Sequence, residues 1–299
     1  MNFSSMNTES RNDRTMHIDE LSIKKALQLM NEEDRLVAEM VGYEIDHIER
    51  AIEFVVDSFK KEGRLIYVGA GTSGRIGLLD AVECVPTFSV DSTQVQGLIA
   101  GGSQAFIKAV EGAEDSFELG AKDLKGIQLC KDDTVIGIAA SGRTPYVKGA
   151  LDYANEVGAH TVALSCNKKS EISDYASVKI EVDTGAEVIT GSTRLKAGTA
   201  QKLVCNMIST ISMIQLGKVY GNLMVDLQPT NFKLVERAKR IIMQATDCDY
   251  ETADQLLEAS RQQPKTAIVM YLLDCDYDEA VKQLQQHHQH IKPILKEEK

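Results

Sequence analysis

Between residues 65 and 182 the chain alternates two textures, and this alternation limits the folds open to it. Short runs dominated by apolar residues occur at 65–69 (LIYVG), 87–90 (TFSV), 97–100 (GLIA), 134–139 (TVIGIA), 160–166 (HTVALSC) and 178–182 (VKIEV). Between several of them the pattern predicts helices, at 75–84, 103–110, 115–125, 144–157 and 171–176. A strand that is apolar at nearly every position has both faces covered. Continuous runs of this kind specify a parallel sheet between two helical layers, a three-layer αβα sandwich of the α/β class. Ligands of such sheets sit beyond the carboxyl ends of the strands, which directs attention to the loops that follow them.

The flanks are helical. Apolar residues recur at three- and four-residue spacing over 21–62, and Gly63 stops the run. A long helix is predicted over 195–219, and the texture from about 233 to 292 is entirely helical. In that tail "DCDYETADQLL" (247–257) is echoed by "DCDYDEAVKQL" (274–284). Asp249 and Asp276 are read as helix N-caps, with Asp276 and Glu279 at capping-box spacing. A metal role for Cys248, Cys275, His287, His288 and His290 lacks a matching ligand cluster in the sequence. The expected organisation is a domain at 1–232 carrying the N-terminal helices, and a small helical module at 233–299.

The net charge of −11 over 299 residues leaves no basic track for a phosphate backbone, which argues against nucleic acid as a partner. An anionic ligand has to be held by local groups against that field. The stretch "MNFSSMNTESRNDRTMH" has no apolar segment of the secretory kind. The longest mostly apolar run, 203–217, is too short to span a bilayer and carries Asn206 and Gln215, so it reads as a buried or interface helix. Six cysteines without a C-x-x-C pair fit reduced thiols in a cytoplasmic protein.

The loop after the first apolar run, "VGAGTSGRIG", spells G-x-G-x-x-G through Gly69, Gly71 and Gly74. As a dinucleotide fingerprint it needs an acidic residue about 20 positions on, and Asp91 falls near that place. As a P-loop it fails, because Arg75 and Ile76 stand where Lys and a hydroxyl are required. Two further loops change the balance. "AASGRTPYV" follows the 134–139 run, and "TGAEVITGSTRLKAGT" follows the 178–182 run. Each combines Gly with hydroxyl residues ahead of a helix, where free backbone N–H groups and the positive end of the dipole favour an anion. Three such loops favour a compact monophosphate over a dinucleotide. Ser and Thr in these places are also ordinary helix caps.

The blocks "VGAGTSGRIGLLDAVECVPTF", "AVEGAED", "AASGRTPYV" and "EVITGSTRLKAGTAQKLVCNMISTISMIQLGKVYGNLMVD" resemble the sugar isomerase (SIS) domain family, whose sheet is flavodoxin-like. Within that family they are similar to the N-acetylmuramic acid 6-phosphate etherases. The glucokinase regulatory protein, a sugar-phosphate binder, is a vertebrate relative. The resemblance runs from "TESRN" (8–12) through the helical tail; Ala186 departs from it, where the family pattern has Pro before the Glu.

The resemblance implies cleavage of the lactyl ether at carbon 3 of N-acetylmuramic acid 6-phosphate, giving N-acetylglucosamine 6-phosphate and D-lactate in cell-wall recycling. An alkyl ether resists direct hydrolysis. In the open-chain sugar, however, the carbon-2 hydrogen is alpha to an aldehyde and the ether is beta to it. Elimination followed by water addition then needs two proton-handling groups and no metal, nicotinamide or other cofactor. The resemblance puts these roles on Glu83 and Glu114; we take Glu83 as the acid for the lactyl oxygen and Glu114 as the base at carbon 2. The exchanged assignment is the alternative. It also implies sugar-phosphate contacts at Thr72, Ser73, Ser141, Gly142 and Thr144. Arg143 either joins them or pairs with a carboxylate elsewhere. Ser192 and Thr193 are further candidates, for this site or for a neighbouring subunit's. A homodimer is implied, with the 203–217 helix contributing to its interface. Only His160 of the six histidines lies between 48 and 286, which favours a carboxylate pair over the histidine chemistry of an aldose–ketose isomerase. A sensing protein without catalysis, or an isomerase, are the competing functions. The GAGTSG loop is expected to act as a monophosphate cradle that sets Glu83 at a fixed distance from its anchor.

Overall fold

A computed structural model describes residues 7–108 and 110–297 of the chain. Residues 1–6 of the N-terminal stretch, and Ala109 within the predicted 103–110 helix, lie outside the described residues. The described chain packs as two compact units. One comprises residues up to Val82 together with Ser92–Ser209, the other Glu83–Asp91 together with Thr210–Lys299. The sequence boundary at 232/233 marks where the texture turns helical; by packing, the helical unit also takes Glu83–Asp91 and the stretch from Thr210 onward.

The first unit opens with α1 (Ile23–Gly42) and α2 (Ile45–Lys60). The predicted 21–62 helix is thus two helices, divided where Tyr43 and Glu44 close one and open the next. There follow β1 (Leu65–Gly69), α3 (Gly71–Phe88), β2 (Val95–Ile99), α4 (Gln104–Ile107), α5 (Phe117–Gly126), β3 (Thr134–Ala139), α6 (Pro145–Val157), β4 (His160–Ser165), β5 (Val178–Glu181) and α7 (Lys196–Gln215). The five strands form one sheet in the order β2-β1-β3-β4-β5, and all four pairings are parallel. Every residue of β1 and β3 is buried, as their unbroken apolar runs require.

One predicted strand is absent. The segment 87–90 (TFSV) has strand-like composition, but α3 runs through Phe88. The deciding pattern is longer than four residues: Ala81, Cys84 and Phe88 are buried at i, i+3 and i+7, a helical stripe. Ser89, at φ +51°, then ends the helix.

Helix α5 lies unusually close to α6. A Cβ at Gly120 would stand 2.1 Å from the Tyr146 carbonyl oxygen, and one at Gly149 would stand 1.9 Å from that of Phe117. This pair covers one face of the sheet through Leu124, Val147 and Leu151 against Ile66, Val68 and Val135. On the other face α3 runs back along β1, where a Cβ at Gly77 would fall 2.6 Å from the Cβ of Tyr67. The Tyr67 hydroxyl donates to buried Asp80 at 2.8 Å, and Asn206 and Ser209 of α7 donate to the same carboxylate. His160 is a packed strand-end residue, stacked on Phe54 at 4.2 Å with its Nε2 3.1 Å from Asp57.

At the amino ends of β1 and β3 sits Asp133, fully buried. It accepts from the Arg64 guanidinium at 2.6 and 3.0 Å, and from the backbone N–H of Arg64 and Cys130 at 2.9 Å each. Burial alone would raise this carboxyl; the Arg64 and Cys130 hydrogen bonds outweigh it and hold the group below its ordinary value of 3.8. A lowered folded pKa adds stability that is fully present above 3.8 and is lost as pH falls through the folded value. Asp133→Ala should therefore cost about 3 kcal/mol near neutral pH, the low end for a broken buried pair because Arg64 retains access to water. Urea unfolding checks this: the gap from wild type should narrow once the pH drops below 3.8.

The second unit contains α8 (Phe232–Thr246), α9 (Tyr250–Ala259), α10 (Pro264–Leu273), α11 (Tyr277–Gln286) and α12 (Ile291–Glu297). Their core includes Ile242, Leu257, Ile268, Val269 and Leu284. The two Asp-rich echoes are helix caps: Asp249 accepts from the N–H of Thr252, and Asp276 from that of Glu279. Among the described residues no helix is long and apolar enough to cross a membrane.

Candidate active site

The strand order reverses direction between β1 and β3, since β1 leads outward to β2 on one side while β3, β4 and β5 extend on the other. A crevice opens beyond the carboxyl ends at such a switch point. The two loops that flank it are 70–73, after β1, and 140–144, after β3. These are the first two Gly-and-hydroxyl loops of the sequence.

In the first loop Gly69 and Gly74 serve packing, while Gly71 supplies a positive φ of +52°. A Cβ at Gly69 would lie 2.7 Å from the Gly74 nitrogen, and one at Gly74 would lie 2.6 Å from the Gly69 oxygen and 2.7 Å from Ile99 Cγ1. The G-x-G-x-x-G spacing thus lets α3 start directly on β1 and β2. Gly74→Ala should destabilise the fold by about 1–3 kcal/mol, read by thermal unfolding. Asp91 precedes β2, at the amino end of that strand, whereas a ribose-binding acid belongs at the carboxyl end. The N–H of Gly74 is taken by the Ala70 oxygen at 3.2 Å, while those of Gly71, Thr72 and Ser73 find no protein acceptor among the described residues. Three free N–H groups at the start of an 18-residue helix can hold an anion. Ser73 is buried, with its hydroxyl donating to Gln201 Oε1 at 3.0 Å. The Arg75 guanidinium donates to the carbonyls of Ala105 and Phe106 at 2.9 Å each.

The second loop turns at Gly142, φ +73°, where a Cβ would stand 2.2 Å from that of Ser170. Pro145 occupies the first helical position and Thr144 the N-cap of α6, yet the Thr144 side chain makes no capping bond. Its hydroxyl instead donates to Glu114 Oε1 at 3.4 Å, and the Glu114 carbonyl accepts from the N–H of Tyr146 at 3.1 Å. Glu114 is thereby brought to the 140–144 loop at the carboxyl edge of the sheet, with its side chain exposed. Ser141 Oγ accepts from the N–H of Arg143 at 3.3 Å, and Arg143 Nε lies 3.3 Å from Glu171, which also pairs with Lys148 at 2.8 Å. Arg143 has thus found the carboxylate partner rather than an open position. Glu111 is exposed, and the cap of α5 is Ser116, which accepts from the N–H of Leu119.

The third loop differs from the other two. Buried Glu187 accepts from the N–H groups of Lys196 and Ala197 at 2.9 Å each, so the start of α7 is already occupied by a carboxylate. Burial pushes the Glu187 carboxyl up, against those two N–H donors and the nearby Lys196. Ser192 and Thr193 retain only half-buried side chains to offer a ligand. They stand close to the first loop: a Cβ at Gly198 would be 3.6 Å from both the Thr193 oxygen and Thr72 Cγ2. The N-terminal segment straps this region. Asn12 donates to Glu33 at 2.9 Å and Thr15 to the Val188 oxygen at 2.8 Å, while buried Lys196 pairs with Glu33 at 2.9 Å. Gln201 and Glu187 escape sequence reading because their partners lie 128 positions and nine to ten positions away; capping-box spacing finds only caps three residues apart.

Glu83 stands apart from these groups along its own helix. It is exposed, ten residues beyond Ser73, which is about 15 Å of α-helix. A hexose 6-phosphate has five bonds from phosphorus to carbon 3, a span under ~8 Å. The rise along the helix from Ser73 to Glu83 is longer than that span. Around Glu83 the helix exposes Leu79 (51%), Val82 (57%) and Val85 (36%).

Two family models match the chain. One, described as the glucokinase regulatory protein N-terminal SIS domain, covers residues 47–155; the other, described as the SIS domain, covers residues 118–211. A Bacillus cereus (strain 03BB102) protein named N-acetylmuramic acid 6-phosphate etherase is 64% identical over 263 residues, 88% of this chain and 90% of that one. A protein of the same name from Bacillus anthracis (strain CDC 684 / NRRL 3495) matches with the same identity and coverage. A solved structure of a phosphoheptose isomerase from Neisseria gonorrhoeae aligns at 14% identity and a TM-score of 0.48, over 64% of this chain and 98% of that one.

Proposed function

Since the chain belongs to the N-acetylmuramic acid 6-phosphate etherase family and is a carbon–oxygen lyase, we propose that its Glu83 and Glu114 perform the proton transfers of that reaction, and that they meet across two copies of the chain. The enzyme cleaves the lactyl ether of N-acetylmuramic acid 6-phosphate to N-acetylglucosamine 6-phosphate and D-lactate. The sugar opens to its aldehyde. Glu114 takes the hydrogen from carbon 2, and the electron pair forms the carbon 2–carbon 3 double bond as the carbon 3–oxygen bond breaks. Glu83 protonates the departing lactyl oxygen. Water, activated by Glu114, then adds at carbon 3 and carbon 2 regains a proton.

The observation that carries this assignment is the joining of Glu114 to Thr144 at the switch point, beside the free N–H groups of residues 71–73. We assign phosphate binding to those N–H groups with Thr72, and sugar contacts to Ser141, Gly142 and Thr144. Ser73, Arg143, Ser192 and Thr193 support the loops from behind or from the side.

A second copy resolves the position of Glu83. A two-fold axis crossing α3 at Leu78–Leu79, midway between Ser73 and Glu83, lays two α3 helices antiparallel. Glu83 of each copy then stands level with the phosphate loop of the other. The exposed Leu79 and Val82, with Phe106 (47%) and Ile107 (87%) of α4 and Val110 (43%) after it, supply an apolar face for such a homodimer. None of the six cysteines is in a disulfide, and we take the location to be cytoplasmic.

The test is incubation with N-acetylmuramic acid 6-phosphate, without cofactor and with EDTA present, with D-lactate as the readout. No lactate from a folded sample would overturn the assignment of the activity. A monomer by sedimentation at the assay concentration would overturn the shared site.

A further inference from the structure

The helical unit contains a cavity of about 250 Å³ that the etherase reaction does not use. Its lining includes Lys218, Asp226, Gln263, Lys265 and Thr266. Asp226 Oδ2 pairs with both ammonium groups, Lys218 at 3.0 Å and Lys265 at 2.9 Å. The Lys265 side chain is only 6% exposed, and that of Lys218 is 23%. An ammonium has three N–H donors, and Asp226 is the one protein acceptor that each lysine finds among the described residues. A buried cation is thus left with unused donors facing a cavity. Two positive charges against one negative leave the cluster at +1.

The start of α10 faces the same space. Pro264 has no N–H to give, the Gln263 side chain makes no capping bond, and the N–H groups of Lys265 and Thr266 find no acceptor among the described residues. Both residues line the cavity. Unused ammonium donors and two backbone N–H groups therefore converge where the helix dipole adds further positive potential. A carboxylate offers two acceptor oxygens; a phosphate monoester offers three terminal ones and a larger charge, and lysine meets phosphate as a point charge. The volume exceeds the ~150 Å³ at which an apolar cavity takes benzene, so there is room for more than a bare anion. Gln228, Gln262 and Gln289 complete a polar wall suited to hydroxyl groups.

We propose that this cavity is a second anion site, for a phosphate monoester no larger than an amino sugar phosphate, held by Lys218, Lys265 and the first turn of α10. Desolvation holds the Lys265 ammonium below its ordinary pKa, against the pull of Asp226, so a bound dianion would raise it. The site is independent of the assignment of Glu83 and Glu114.

Isothermal titration of the full-length protein with N-acetylglucosamine 6-phosphate tests it, with inorganic phosphate as the second probe. Two sites per chain are expected in the wild type. Lys218→Met should weaken one of them at least about tenfold and leave etherase turnover without added phosphate unchanged. This variant keeps the buried Lys265–Asp226 pair and hence the fold. Lys265→Met should remove the same site, and circular dichroism reports whether it folds. Saturation by inorganic phosphate alone, with no second sugar-phosphate site, would overturn the monoester assignment. One site per chain in the wild type, or two unweakened sites in Lys218→Met, would overturn the site itself.

Discussion

Glu83→Gln is expected to lower D-lactate formation by about 10²–10⁴-fold, the usual contribution of a positioned acid, while exchange of the carbon-2 hydrogen with solvent continues. The two readouts separate because they report different bonds. Exchange needs only the carbanion-like intermediate and a base. Release needs a proton on the lactyl oxygen, whose alkoxide is a poor leaving group. Proton NMR in deuterium oxide follows the first, and a lactate dehydrogenase coupled assay the second. Loss of exchange together with release would assign the base to Glu83 instead. The variant should fold as the wild type does, because the Glu83 side chain is exposed in the single chain.

Glu114→Gln is expected to abolish both readouts, again by about 10²–10⁴-fold. Without a base at carbon 2 there is no elimination to assist. KM should rise little, since the proposed assignment gives the phosphate to the N–H groups of residues 71–73 rather than to this carboxylate. Thr144→Val provides a graded comparison. It removes the hydroxyl that donates to Glu114 at 3.4 Å, so it should lower kcat while retaining the base. A large rise in KM with unchanged kcat in Glu114→Gln would make Glu114 a binding group and not the base.

The sheet is legible in the sequence because its signal is local and redundant. Five apolar runs, each bounded by turn residues, reappear as β1 to β5 within two residues of their predicted positions. The sixth, TFSV, misleads for want of length: four residues cannot distinguish the end of an apolar helix stripe from a strand. The Gly-and-hydroxyl loops are legible for the same local reason, since each runs into a helix, α3, α6 or α7. What each loop is free to do is not. Glu187 blocks the start of α7 from nine residues away, and Gln201 reaches Ser73 across 128 positions. The backbone partners of Arg75, some 30 residues along the chain, are hidden for similar reasons. The distance from Ser73 to Glu83 follows from helix geometry once α3 is known to be unbroken. Sequence alone leaves open whether Pro86 interrupts it, and the helix in fact continues through Pro86.

The shared site is tested most directly by mixing two inactive proteins. Glu83→Gln and Glu114→Gln chains, co-expressed with different tags, should assemble at random into dimers of which half are mixed. Each mixed dimer then holds one site with an intact Glu114 from one copy and an intact Glu83 from the other. Recovery of about one quarter of wild-type lactate formation per chain is the expected result for a two-fold dimer. Purified mixed dimers with no more activity than either parent would contradict it, and would mean that both carboxylates act within one chain.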